Sequence, residues 1–149
     1  MNPNPAYIAA LKDSVRDGAY PNLLGMTLAD IAYDTCRIEL EIGPRHFQPF
    51  GIVHGGVLAT LIDTATFWAG FLRLPDDCGL VNVDLKLNYI RAVSKGKLRA
   101  EGICRRAGRQ VSYTEASIYD ETGDLLAARG CGGISLPDKG LKLGPAKFL

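Results

Sequence analysis

The sequence has only two histidines, His46 and His54, and its four cysteines, Cys36, Cys78, Cys104 and Cys131, stand far apart with no C-x-x-C pair. Zinc-ligand spacing is therefore absent, no metal or cofactor is implied, and the cysteines read as buried, reduced thiols of a cytoplasmic protein. Charge of one sign is lacking too: 17 Lys and Arg against 16 Asp and Glu leave a formal net charge of +1. No overall field draws the chain to nucleic acid or to an anionic membrane, so an anionic ligand has to be recognised locally. The N-terminus lacks a basic segment followed by a long apolar run, and the longest apolar stretch is interrupted by Asp63 and by Thr60, Thr64 and Thr66. A soluble protein without a membrane partner is expected. With 149 residues, 47% of them hydrophobic, the chain has the length of one domain and enough apolar material for a continuous core.

What is present is a succession of clear periods. Asn4-Pro5 followed by Ile8, Leu11 and Val15 predicts a capped amphipathic helix that ends at Asp17-Gly18. Leu24 to Tyr33 and Cys36 to Ile42 predict two strands, the second alternating Cys36, Ile38, Leu40, Ile42 against Arg37, Glu39, Glu41. From Gly55 to about Leu72 the pattern turns helical and apolar on nearly every side, which predicts a helix buried all round. Four strands follow, over Leu80 to Arg91, Lys97 to Arg106, Gln110 to Tyr119 and Leu125 to Ser135, joined by connections of hairpin length. A curved antiparallel sheet wrapped around one long central helix, with an extra N-terminal helix, satisfies this order. The fold class is α+β, in the hotdog arrangement. Its expected division is an N-terminal helix and linker over 1–22, the main domain over 23–136 and an extended tail over 137–149.

The chemistry concentrates in Gln48-Pro49-Phe50-Gly51-Ile52-Val53-His54-Gly55-Gly56 and the helix that follows. A helix N-terminus presents unpaired N–H groups and a partial positive charge, and Gly55-Gly56 clears the approach of an oxyanion to them. Asp63 lies among Leu61, Ile62, Ala65, Phe67 and Trp68, where a carboxylate needs hydrogen-bond partners or a shifted pKa. It marks a candidate general base or nucleophile, against the plain alternative of a carboxylate satisfied by Thr60, Thr66 or the backbone. Gly56 and Asp63 are seven residues apart, about 10 Å along a helix axis. One helix cannot unite them. Two helices packed antiparallel about a two-fold axis can, which predicts a composite site in a homodimer.

Gln48-x-x-Gly51-x-x-His54-Gly55-Gly56, then Asp63, then Val81-Asn82-Val83-Asp84-Leu85-Lys86-Leu87-Asn88-Tyr89, resembles the PaaI-like branch of the hotdog acyl-CoA thioesterases. The resemblance runs from about Leu24 to Ser135. It implies an acyl-CoA substrate, a homodimer often paired into a homotetramer, Asp63 acting across the dimer interface, and Gly55 and Gly56 amides as the oxyanion site. By position Gln48 stands where the family usually has Asn and is expected to orient water or the carbonyl. Asn82 and Thr64 are expected near the substrate, and His54 is expected either to polarise the carbonyl or to shape the loop. Arg91 and Arg109, with Lys95, Arg105 and Arg106, are candidates for anchoring the nucleotide phosphates. Phe50, Phe67, Trp68, Phe71 and Tyr7 are candidates for an acyl pocket or plain core. Gly130-Cys131-Gly132-Gly133 lacks the Lys-Ser/Thr of a P-loop and reads as strand backbone packed on the helix. Two other readings stand beside hydrolysis: a non-hydrolytic acyl-CoA binding module, and a dehydratase using His46-Phe47.

Overall fold

The computed structural model describes residues 2–149, and of residues 129–131 the backbone only. Helix α1 spans Pro5–Arg16. Asn4 caps it, its side chain accepting from the Ala6 amide at 3.0 Å, and Pro5 takes the first turn, where a missing N–H costs nothing. Tyr7, Leu11 and Val15 form its buried face. A short second helix, α2 (Ala19–Leu24), then stands where the sequence predicted linker and the beginning of a strand. Gly25 ends it at φ 72°, a left-handed conformation that favours glycine.

Strands β1 (Met26–Ile31) and β2 (Thr35–Glu41) pair as a hairpin. The long helix α3 covers Gly55–Phe71, and β5 (Lys97–Ala107), β6 (Val111–Tyr119) and β7 (Leu125–Leu136) complete the sheet's centre. The strand expected over Leu80 to Arg91 is broken into β3 (Gly79–Asn82) and β4 (Lys86–Tyr89), both paired with β7. At the break the Asp84 carboxylate accepts from the Gly132 amide at 2.5 Å, so a side chain supplies the bond that the ladder omits. Alternation alone does not reveal such a substitution. The sheet is antiparallel throughout, in the order β1-β2-β5-β6-β7-β3 with β4 beside β3 on the same strand.

Helix α3 sits in the hollow of this sheet, as the hotdog arrangement requires. Small residues make the room. Ile38, Ala100, Ile118 and Ala127 pair in one row across four strands and are all fully buried. At Gly102 the helix presses on the strand itself: a Cβ there would lie 2.3 Å from the Ala65 carbonyl oxygen. That close approach was expected of the glycines at 130–133. The described Gly132 and Gly133 lie instead beside Val83, Asp84, Leu80 and Asn82 of the neighbouring strands.

Cys36 and Cys104 are buried free thiols, Cys78 is half-buried, and the Cys131 thiol lies outside the described residues. The segment after β7 runs back over the domain. The Asn4 amide donates to the Lys147 carbonyl at 2.9 Å, and Pro3 bridges to Phe148. Lys147 is 3% exposed, its ammonium donating to the Leu74 carbonyl at 2.8 Å beside Asp76. Phe148 meets Tyr33 edge-on. No helix among the described residues is long and apolar enough to cross a membrane.

Candidate active site

The sheet and α2 leave one stripe of α3 partly open. Gly56, Thr60, Asp63, Thr64 and Phe67, at helical spacing, are exposed or half-buried, while Leu58, Leu61, Ile62, Ala65 and Ala69 face the sheet. Thr60 is spanned by Tyr20 of α2, whose hydroxyl lies 2.9 Å from the threonine hydroxyl. Asp63 does not use Thr60. Its partner is Asn82 on β3, whose Nδ2 donates to Asp63 Oδ1 at 2.9 Å and to the Asp63 carbonyl at 3.0 Å.

The same nitrogen lies 3.3 Å from Thr66 Oγ1. Acceptors thus converge on it and fix which way the amide points. Asn82 Oδ1 is left buried without a partner among the described residues. Thr66 itself is buried and donates back to the Ile62 carbonyl at 2.8 Å. Asn82, expected near the substrate, holds the carboxylate, one oxygen of which it engages directly.

The start of α3 is organised by His54. As N-cap residue it accepts from the Gly56 amide at Nδ1, 2.8 Å away, so the ring carries its proton on Nε2. The Val57 amide bonds the His54 carbonyl at 2.9 Å. Of the two amides expected to form an oxyanion site, that of Gly56 is therefore engaged within the chain. The Gly55 amide makes no hydrogen bond among the described residues. Over Gly55 lies Tyr89 of β4, 58% exposed, with its ring 3.1 Å from where a Cβ would stand. Tyr89 pairs with Ala127 of β7, and its place over Gly55 follows from that non-local register, which sequence order does not reveal.

Gln48 folds over its own loop. Its Oε1 accepts from the Phe50 amide at 2.7 Å, and the turn closes through Gly51 at φ 78°. The positive side chains are not gathered. Arg91 pairs with Asp124 at the β6–β7 turn, whereas Arg109 is exposed in the β5–β6 turn, so the length of β6, roughly 25 to 30 Å at about 3.3 Å per residue, separates them. One phosphate group cannot reach both from this chain. His46 is 1% exposed, accepting from the Gly43 amide at 2.9 Å and bonding the Leu24 carbonyl at 2.7 Å. Both ring nitrogens are spent on backbone, which removes the basis of the dehydratase reading.

Asp63 and the helix start remain about 10 Å apart along one helix. The arrangement offers a fixed carboxylate and a free helix amide, each needing a counterpart from elsewhere. Comparison with known proteins is consistent in kind. The sequence profile of the Thioesterase superfamily matches residues 50–127. The proofreading thioesterase EntH of Cronobacter sakazakii is 35% identical over 102 residues, covering 67% of this chain and 73% of that protein. A thioesterase from Haemophilus influenzae superposes with a TM-score of 0.81 at 25% identity, over 87% of this chain and 90% of the other. A conserved protein from Pseudomonas aeruginosa gives 0.75 at 26% identity, over 83% and 98%.

Proposed function

The chain belongs to the thioesterase superfamily and is a thioester hydrolase, and on that premise we propose that its substrate is an acyl-coenzyme A thioester, hydrolysed with Asp63 as the reacting carboxylate. The observation that carries this reading is the Asn82–Asp63 pair. A neutral amide orients one oxygen of the carboxylate and adds no cation to tie the group down, so the charge stays available to a proton or an acyl carbon. The Gly55 amide, at the positive end of a 17-residue helix, serves the thioester oxygen as it becomes an oxyanion. His54 has a supporting part, since its cap holds the first turn open and aims Nε2–H outward.

Because one helix cannot bring Gly55 and Asp63 together, the reading requires a second copy of the chain, with Asp63 acting on the thioester held by the neighbour's helix. Val81, Val83, Leu85 and Ile90 are exposed along the β3–β4 edge at 40%, 55%, 39% and 55%. An apolar edge strand of this kind supports a homodimer, and a homotetramer as a pair of such dimers. Water supplies an oxygen of the product acid; the C–S bond breaks, one water proton passes by way of Asp63 to the departing thiolate, the other is given up by the new carboxylic acid to solvent, and Asp63 is left ionised. Asp63 acts as base on that water or attacks first and is released by it. Arg91, Arg109 and Thr64 are candidate substrate contacts, used by different parts of the ligand or by different subunits, and Gln48 is the candidate for orienting water or the carbonyl. The free thiols of Cys36, Cys78 and Cys104 fit a cytoplasmic location.

The test is release of free thiol from a panel of acyl-CoA thioesters by the wild type and by Asp63→Asn. Turnover of at least one thioester that the variant loses is the expected result. Equal rates in the two proteins reject Asp63.

A further inference from the structure

Beyond the site itself the molecule holds an apolar cavity of about 360 Å³ at the far end of α3, walled by Phe67, Trp68 and Phe71, by Leu80 of β3, by Pro21 of α2 and by Leu141 of the tail. Two of the larger hollows, about 430 Å³ each, are lined by charged residues, among them Arg37, Glu101, Arg105 and Glu115, and suit an acyl chain poorly. The apolar cavity differs in that respect. Phe67 is one helical turn beyond Asp63 on the same open stripe, and Leu80 is two residues before Asn82 on the same inward face of β3. Helix and strand thus each step from the cavity to the carboxylate in a single repeat, about 6 to 7 Å.

We infer that this cavity receives the acyl chain, and that the chain class it selects is an unbranched, apolar acyl group of medium length. The inference rests on the reading of Asp63 as the reacting carboxylate. From Asp63 to Phe71 the helix axis runs about 12 Å, the length of an extended chain of roughly eight to ten carbons. The volume equals about twelve waters at roughly 30 Å³ each, more than a single benzoyl ring fills. The walls are dominated by rings: Phe67 and Trp68 meet edge-on at 4.8 Å, and Trp68 and Phe71 at 5.0 Å. The rings offer contact area, and Lys139 is the one charged residue of the described lining.

The outer wall comes from the chain's two terminal segments. The elbow at Gly18 is tight, since a Cβ there would stand 3.1 Å from the Val15 carbonyl oxygen. The tail is seated against β3, where a Cβ on Gly79 would lie 2.8 Å from the Lys139 carbonyl. Leu141, 38% exposed, is the wall residue that can be exchanged without opening the core.

The experiment measures kcat/KM for propionyl-, octanoyl-, dodecanoyl- and benzoyl-CoA with the full chain, with Leu141→Trp and with Leu141→Ala, after confirming unchanged melting temperatures. The wild type is expected to prefer octanoyl-CoA. Leu141→Trp is expected to lower the octanoyl-to-propionyl ratio at least tenfold, and Leu141→Ala to raise the dodecanoyl-to-octanoyl ratio several-fold. Ratios that stay within twofold in both variants, or a wild-type preference for benzoyl-CoA, overturn the inference while leaving hydrolysis at Asp63 intact. Absence of turnover on every thioester instead overturns the acyl-CoA reading beneath it.

Discussion

The two ends of α3 are built on opposite principles. At its start there are two glycines, an exposed histidine cap and an amide with no partner among the described residues. At its end three aromatic rings pack on one another and are covered by both terminal segments. An open helix start leaves backbone dipole for a ligand to use, and a lined helix end turns side-chain area into stability and into cavity wall. Asp63 lies between them. Changes at the Gly55 amide should therefore be read out in turnover, and changes to the cavity wall in choice of acyl chain.

The largest expected effect is at the midpoint. Asp63→Asn should lower kcat/KM by about 10³-fold, within the range typical for loss of a general base, while the melting temperature moves little, because Asn keeps the shape. The contrast between start and middle sharpens in a mixing experiment. Gly55→Val and Asp63→Asn are each expected to be inactive alone, but co-refolded chains should recover about a quarter of wild-type activity, since half the dimers then carry one intact composite site. No recovery would put the whole site on one chain.

Asn82→Ala comes next. Losing a hydrogen bond to a charged group is worth about 1.5 to 3 kcal/mol, so kcat should fall roughly 10- to 100-fold with KM nearly constant. A change confined to KM would make Asn82 a substrate contact after all. His54→Ala removes the helix cap and should cost about 1 kcal/mol of stability, a few degrees in melting temperature, measured by thermal unfolding.

The smallest expected effect is at the far end of the helix and depends on pH. Burial holds the Lys147 ammonium below the ordinary lysine value of 10.5, with Asp76 opposing. As pH rises through the folded value, the folded chain gives up this proton before the unfolded chain does. The unfolded state then binds more protons, and stability rises with pH until the unfolded value is passed. Lys147→Met should flatten that alkaline limb in denaturant titrations, with little loss of stability at neutral pH.

Much of the fold was legible because its signals are local. Asn4-Pro5 and Asp17 bracket α1, and the change from strand to helix period at Gly55 marks α3. The short helix α2 was not, since Ala19–Leu24 offers too few residues for a period and runs straight into β1. The break at Asp84 escaped for a related reason: an alternating pattern continues through it while the bonding does not. In the site, the residue types were readable and their pairings were not. Asn82 holding Asp63, His54 engaging Gly56, Tyr89 covering Gly55 and β6 parting Arg91 from Arg109 are all relations between distant or competing groups, which sequence order does not encode.

The contacts of Asn4 with Lys147 and of Pro3 with Phe148 form a clasp between early and late parts of the chain. Beside it Lys139 and Leu141 complete the cavity wall begun by Val15, Gly18 and Pro21, so that wall closes only over a sheet and central helix that lie between its two halves in sequence. An affinity tag fused directly after Leu149 would pull on the same clasp. Joining the two ends through a short flexible linker and reopening the chain in the β6–β7 turn should instead preserve it, and would give a permuted protein in which that wall is the first thing made.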